Sequence, residues 1–187
     1  MLFHGLSFAL RAGELLRVVG ANGSGKTSLL RILCGLLTPG AGVVRWNGAP
    51  IRELREEYSR QLVYLGHAPA VKDDLTAAEN LEITCTLAGT RLSKEAVDQA
   101  LKPFKIPVDT PLKKLSQGQR RRAALARLAI SSHVPLWLLD EPFAALDKEA
   151  LKLTEDLIAG HVANGGSVVY TTHQDGSLGA GRVVELG

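Results

Sequence analysis

The octapeptide Gly20-Ala21-Asn22-Gly23-Ser24-Gly25-Lys26-Thr27 constrains this chain more than any other stretch. It fits G-x-x-x-x-G-K-[ST] and stands between two readable segments. Before it, residues 15–19 form a short, mostly apolar run that stops at Gly20. After it, Leu29, Leu30, Leu33, Leu36 and Leu37 recur at helical spacing over residues 28–37. A strand, a glycine-rich turn and a helix in that order form a phosphate cradle. Glycines let backbone N–H groups close around phosphate oxygens without a Cβ in the way, and the helix N-terminus adds partial positive charge. The spacing then assigns roles. Lys26 reaches the β- and γ-phosphates, the Thr27 hydroxyl ligates Mg²⁺, and Ser28 continues the cradle into the helix. The plain alternative, a chance glycine-rich turn, explains neither flanking segment.

The rest of the chain repeats the strand–helix alternation. Residues 42–47 read as a strand closing in the Asn47-Gly48 turn. Residues 136–139 and 168–172 read as apolar strands, with a helix over 148–164 between them. Alternating short strands and helices predict an α/β fold with a parallel sheet covered on both faces. Residues 67–134 are charged and helical in pattern, so they read as a helical insertion. Composition agrees with one globular domain: 187 residues, 45% hydrophobic and 22% charged, with a net charge of +3. The two cysteines, Cys34 and Cys85, form no CxxC pair, which favours a reducing compartment. No apolar run approaches the ~20 residues of a membrane span. Residues 1–10 lack the basic leader of a signal peptide. Both secretion and membrane spanning are disfavoured.

Three further clusters carry chemistry. The second apolar strand ends in Asp140-Glu141-Pro142. Acidic residues at the carboxyl end of a parallel strand face the crevice where such sheets bind ligands. Asp140 is thus the Mg²⁺ partner of Thr27, and Glu141 the general base for an attacking water. A solvated acidic turn is the bland alternative. The third strand ends in His173, which would emerge at the same edge and hydrogen-bond the γ-phosphate or the water. Finally, Leu115-Ser116-Gln117-Gly118-Gln119 opens a helical run, with Ser116 and Gln119 at capping-box spacing. Arg120, Arg121 and Arg122 crowd this helix start, where the macrodipole disfavours cations. A bound anion would resolve the conflict; a solvated face or nucleic-acid contact are the alternatives.

Taken together, these stretches resemble the ATP-binding-cassette (ABC) ATPases, over essentially the whole chain. Residues 20–27 match the Walker A loop, 115–119 the LSGGQ-type signature, 136–141 Walker B, 144–147 the D-loop, and His173 the switch histidine, in the family's order. The resemblance implies a P-loop NTPase with a RecA-like parallel sheet core, about residues 1–66 and 135–187. An inserted α-helical signature subdomain would span about 67–134. It implies ATP and Mg²⁺ as ligands and a head-to-tail homodimer when ATP is bound. Ser116, Gly118 and Gln119 of one subunit would then cap the nucleotide held by the other. His67 stands where the family carries its Q-loop glutamine, and Gln117 where the signature carries a glycine. The family's first strand and adenine-stacking aromatic have no counterpart after Met1.

Within the family, residues 64–69, 75–81, 136–147 and 171–175 are most similar to the ATP-binding subunits of bacterial cytochrome c maturation, or haem export. That resemblance implies a peripheral protein on the cytoplasmic face of the inner membrane. It would drive membrane-spanning ABC subunits by ATP hydrolysis and have no nucleic-acid partner. The loop from His67 to Leu81 would receive a short helix of the membrane subunit. The alternative is an ATPase subunit for another transported substrate.

Overall fold

The computed structural model describes residues 2–172, 178 and 181–187. In chain order its first elements are β1 (Leu15–Gly20), α1 (Lys26–Leu33), β2 (Arg45–Trp46), β3 (Ala49–Pro50), α2 (Ile51–Leu54), α3 (Glu56–Ser59) and β4 (Leu62–Leu65). There follow α4 (Ala77–Leu87), α5 (Lys94–Leu101), α6 (Gln117–Ala129), β5 (Leu136–Leu139), α7 (Lys148–Ala163), β6 (Ser167–Thr171) and β7 (Arg182–Leu186). They divide into two compact units. The first takes the chain up to His67, Val134–Pro142 and the stretch from Ala159 on; the second takes Ala68–His133 and Phe143–Ile158.

The first unit is built on a parallel sheet in the order β4-β5-β6-β1-β7. Every residue of β5 and β6 is buried, as parallel strands covered on both faces must be. Leu16, Val18, Leu136, Leu138 and Val169 gather with Leu29 and Leu30 of α1 in one core cluster. From the opposite side of β5, Trp137 stacks on His161, ring centroids 3.8 Å apart and planes 1° from parallel. The parallel α/β core expected from the sequence is present. The edge strand β7 was not legible, because Arg182 and Glu185 break its apolar pattern. Charges are tolerated on an edge.

Two boundaries differ from the sequence reading. The helix after the glycine turn stops at Leu33, not Leu37. Gly35 follows at φ 79° and its N–H turns back to the Ile32 carbonyl, the left-handed stop that ends helices. The Tyr58 hydroxyl also donates to the Leu33 carbonyl at 2.7 Å. Leu36 and Leu37 are consequently exposed. The strand expected over 42–47 is reduced to Arg45–Trp46, paired antiparallel with Ala49–Pro50 across the Asn47-Gly48 turn. Pro50 has no N–H to extend the ladder, and the Ile51 N–H goes to the Val44 carbonyl as α2 begins.

The second unit contains α4, α5 and α6, each opened by a hydroxyl cap. Thr76 and Ser116 make complete capping boxes with Glu79 and Gln119, and Ser93 accepts from the Ala96 N–H. Asn80, buried on α4, shapes the loop before that helix. Its amide oxygen accepts from the Lys72 N–H at 2.7 Å, and its amide nitrogen donates to the Lys72 and Thr76 carbonyls at 3.0 and 2.9 Å.

Candidate active site

The glycine turn leaves β1 at Gly20, whose φ is 153°. A Cβ there would stand 2.5 Å from Ser24 Oγ and 2.6 Å from the Leu186 carbonyl oxygen, so only glycine fits. Gly25, at φ 102°, caps α1, and Lys26 is its first helical residue. Lys26 is buried, and its ammonium donates to the Gly20 and Ala21 carbonyls at 2.8 and 3.0 Å. The loop therefore folds around its own cation. Ser24 Oγ is buried with no hydrogen-bond partner among the described residues. A buried hydroxyl beside backbone N–H groups and a buried ammonium suits an anion with several oxygens.

Asp140 follows β5, and its N–H extends the ladder to the Leu65 carbonyl at 2.8 Å. Its carboxylate is 1% exposed. The Thr27 hydroxyl donates to Oδ2 and the Thr171 hydroxyl to Oδ1, both at 2.8 Å. Thr27, in the first turn of α1, and Asp140, 113 residues later, thus form one hard-oxygen pair, the donor type Mg²⁺ prefers. Among the described residues no cluster of three or more His, Cys, Asp or Glu stands ready for a metal. That fits an ion held by one carboxylate and a hydroxyl together with substrate phosphates. Glu141 comes next in a left-handed backbone, φ 54°, with its N–H donating to Thr171 Oγ1 at 2.9 Å.

Lys26, Thr27, Ser28, His67 and Glu141 line one cavity of about 380 Å³ together with Asn22, Gly23 and Gly25 of the loop. A larger cavity of about 820 Å³ lies in the same unit among Phe8, Leu33, Trp46, Tyr58 and Val169. Its walls hold none of the phosphate-loop residues 20–28, so the smaller cavity is the chemical one. His173 lies outside the described residues.

In the second unit, Ser116, Gly118 and Gln119 open α6. A Cβ on Gly118 would stand 3.1 Å from the Ala145 carbonyl oxygen. The arginine cluster finds partners within this unit. Arg120 donates through Nε to the Leu115 carbonyl and through a guanidinium nitrogen to the Lys113 carbonyl, and faces the Asp73 carboxylate at 3.3 Å. Arg122 lies 3.5 Å from Asp147. Carbonyls and carboxylates of the chain itself thus offset part of the conflict of Arg120 and Arg122 with the macrodipole.

The sequence pattern of the ABC transporter family matches residues 3–144. The chain belongs to the ABC transporter family. Two of its relatives are named cytochrome c biogenesis ATP-binding export protein CcmA. That of Aromatoleum aromaticum is 51% identical over 177 residues, covering 94% of this chain and 83% of the relative. That of Nitrosospira multiformis is 48% identical over 187 residues, covering 99% and 90%. Among solved structures, the dimeric post-hydrolysis state of the ATP-binding cassette MJ0796 bound to ADP and phosphate superimposes with a TM-score of 0.85. It is 25% identical and covers 99% of this chain and 86% of that one.

Sequence reasoning missed two residues that the ABC cassette geometry brings forward. Thr171 was read as strand and as part of the 171–175 stretch but given no role, although the parallel register pairs Leu139 with Tyr170 and so sets Thr171 beside Asp140. A polar residue at a fully buried strand end was the available signal. Asp73 was given no role of its own within the loop from His67 to Leu81, and nothing in its local sequence pointed to Arg120, 47 residues on.

Proposed function

We propose that this ABC family member is the ATP-hydrolysing subunit of a bacterial inner-membrane complex for haem export in cytochrome c biogenesis. The observation that carries hydrolysis is the Thr27–Asp140 pair beside Glu141, set against a cradle that already encloses the Lys26 ammonium. The relatives named CcmA, 45–51% identical, support the assignment to cytochrome c biogenesis.

In this reading Lys26 exchanges its carbonyl partners for β- and γ-phosphate oxygens, and residues 20–28 hold the phosphate chain with backbone N–H groups. Thr27 and Asp140 would hold Mg²⁺, which would supply charge neutralisation to the phosphate chain. Thr27 could do so while still donating its hydrogen bond to Asp140, because the donating hydroxyl retains its lone pairs. Glu141 takes a proton from water as that water attacks the γ-phosphorus, the bond to the bridging oxygen breaks, and ADP and phosphate leave. His67 and His173 orient the water and the γ-phosphate. Ser116, Gly118 and Gln119 complete the site of a second copy in an ATP-bound homodimer; the dimeric MJ0796 cassette supports that arrangement. The membrane-spanning subunits dock on the loop from His67 to Leu81, on the cytoplasmic face.

A tagged copy of the chain, expressed together with the membrane-spanning subunits of a cytochrome c biogenesis complex, tests the reading. It should recover those subunits and restore c-type cytochrome maturation in cells lacking their own ATPase subunit, and Lys26→Ala should not restore it. Recovery of the complex of another transporter, with no effect on cytochrome maturation, would contradict the haem-export assignment.

A further inference from the structure

We infer that Thr171 is a positioning residue that holds Asp140 and Glu141 in register for hydrolysis. This rests on the ATPase reading above and extends it to a side chain outside the cassette motifs. Thr171 is the last residue of β6 and is wholly buried. At such a place valine would serve the strand equally well, as it does at Val168 and Val169, with no hydroxyl to desolvate. The hydroxyl must therefore be used, and it is used twice. It donates to Asp140 Oδ1 at 2.8 Å and accepts the Glu141 N–H at 2.9 Å. One rotor with one proton and two lone pairs thus ties a carboxylate to the backbone of the next residue.

Both tethers fall where positioning matters. Asp140 Oδ2 is held by Thr27, so the two hydroxyls fix the carboxylate plane from its two oxygens. Glu141 occupies a left-handed backbone, which a residue with a Cβ adopts only when its surroundings impose it. The bond to Thr171 is one such constraint, and it sets the direction in which the Glu141 side chain leaves the strand. The β-branched Thr171 is itself stiff at χ1, so the tether has little freedom. Supporting residues of this kind typically change metal affinity or turnover 10–100-fold when removed.

The test compares Thr171→Val, which keeps shape and loses the hydroxyl, with Thr171→Ser, which keeps the hydroxyl. Three quantities are read: phosphate release, binding of a fluorescent ATP analogue in EDTA, and the Mg²⁺ concentration giving half of the metal-dependent change in that binding. Thr171→Val should bind the analogue in EDTA like the wild type. Its kcat should fall about tenfold or more with little change in KM, and its Mg²⁺ midpoint should rise severalfold. Thr171→Ser should recover most of both losses. A valine variant with wild-type kcat and Mg²⁺ midpoint overturns the inference, as does a serine variant impaired as severely as valine. Should valine not fold, Thr171→Ala replaces it under the same criteria. If the wild-type chain binds nucleotide and releases no phosphate, the ATPase reading fails, while the Mg²⁺ midpoints still decide the role of Thr171.

Discussion

The chemistry of this cassette is concentrated in a few side chains whose charges have been prepared in advance. A buried lysine costs several kcal/mol in desolvation unless its donors are met. Lys26 meets two of them with carbonyls of the loop that its ligand will occupy. Replacing those carbonyls by phosphate oxygens exchanges neutral acceptors for charged ones, and charge-assisted bonds are roughly twice as strong. Lys26→Ala should therefore weaken ATP binding by at least tenfold, the equivalent of about 1.4 kcal/mol, measured by titration with a fluorescent ATP analogue. Unchanged affinity would mean that the ammonium serves the loop and not the nucleotide. The cradle, Asp140 and Glu141 were readable from sequence, because a fixed spacing after a strand defines where their side chains emerge. Thr171 was not. Alternation along a strand tells which face a residue occupies, whereas its neighbour across the sheet depends on a register that only the fold sets.

At the level of elements, the sheet is braced from the side opposite the α1 core by Trp137 of β5 and His161 of α7. Both ring nitrogens of His161 are buried with no hydrogen-bond partner among the described residues. Burial therefore pushes its pKa below the ordinary value near 6.5. The sign follows from linkage. Below that pH the unfolded chain binds a proton that the folded chain refuses, so stability is complete above about pH 6.5 and declines as the pH falls below it. Urea midpoints at pH 7.5 and 5.5 should show this acid loss in the wild type and a smaller one in His161→Phe, which keeps an aromatic ring against Trp137 and cannot titrate. Equal acid losses in both proteins would remove His161 as the cause. The start of α6 was legible because a hydroxyl cap is local: Ser116 with Gln119 is a pattern within four residues. The Arg120–Asp73 contact joins α6 to the loop shaped by Asn80, and no local pattern records it.

In the proposed reading, the whole molecule divides its labour between holding nucleotide and cleaving it. The order of motifs along the chain conveyed the family and the α/β class, since the motifs are short and the phosphate loop, Walker B and the signature each sit at the end of a strand or the start of a helix. What that order could not convey was the boundary between the two compact units. Residues 143–158 join the second unit although they follow β5 directly in the chain, and contiguity in sequence gives no warning of this. No helix among the described residues is long and apolar enough to cross a membrane. In the proposed reading, hydrolysis is the first requirement for driving a membrane-spanning subunit. The most direct measurement is phosphate release from Mg²⁺-ATP by the wild type and by Glu141→Gln, with bound nucleotide quantified in the same samples. The variant keeps Asp140, Thr27 and Lys26, so it should bind as much nucleotide as the wild type while phosphate release falls about 10²-fold or more with loss of the base. Equal release by the two proteins, or nucleotide bound by a wild type that releases no phosphate, would contradict the account.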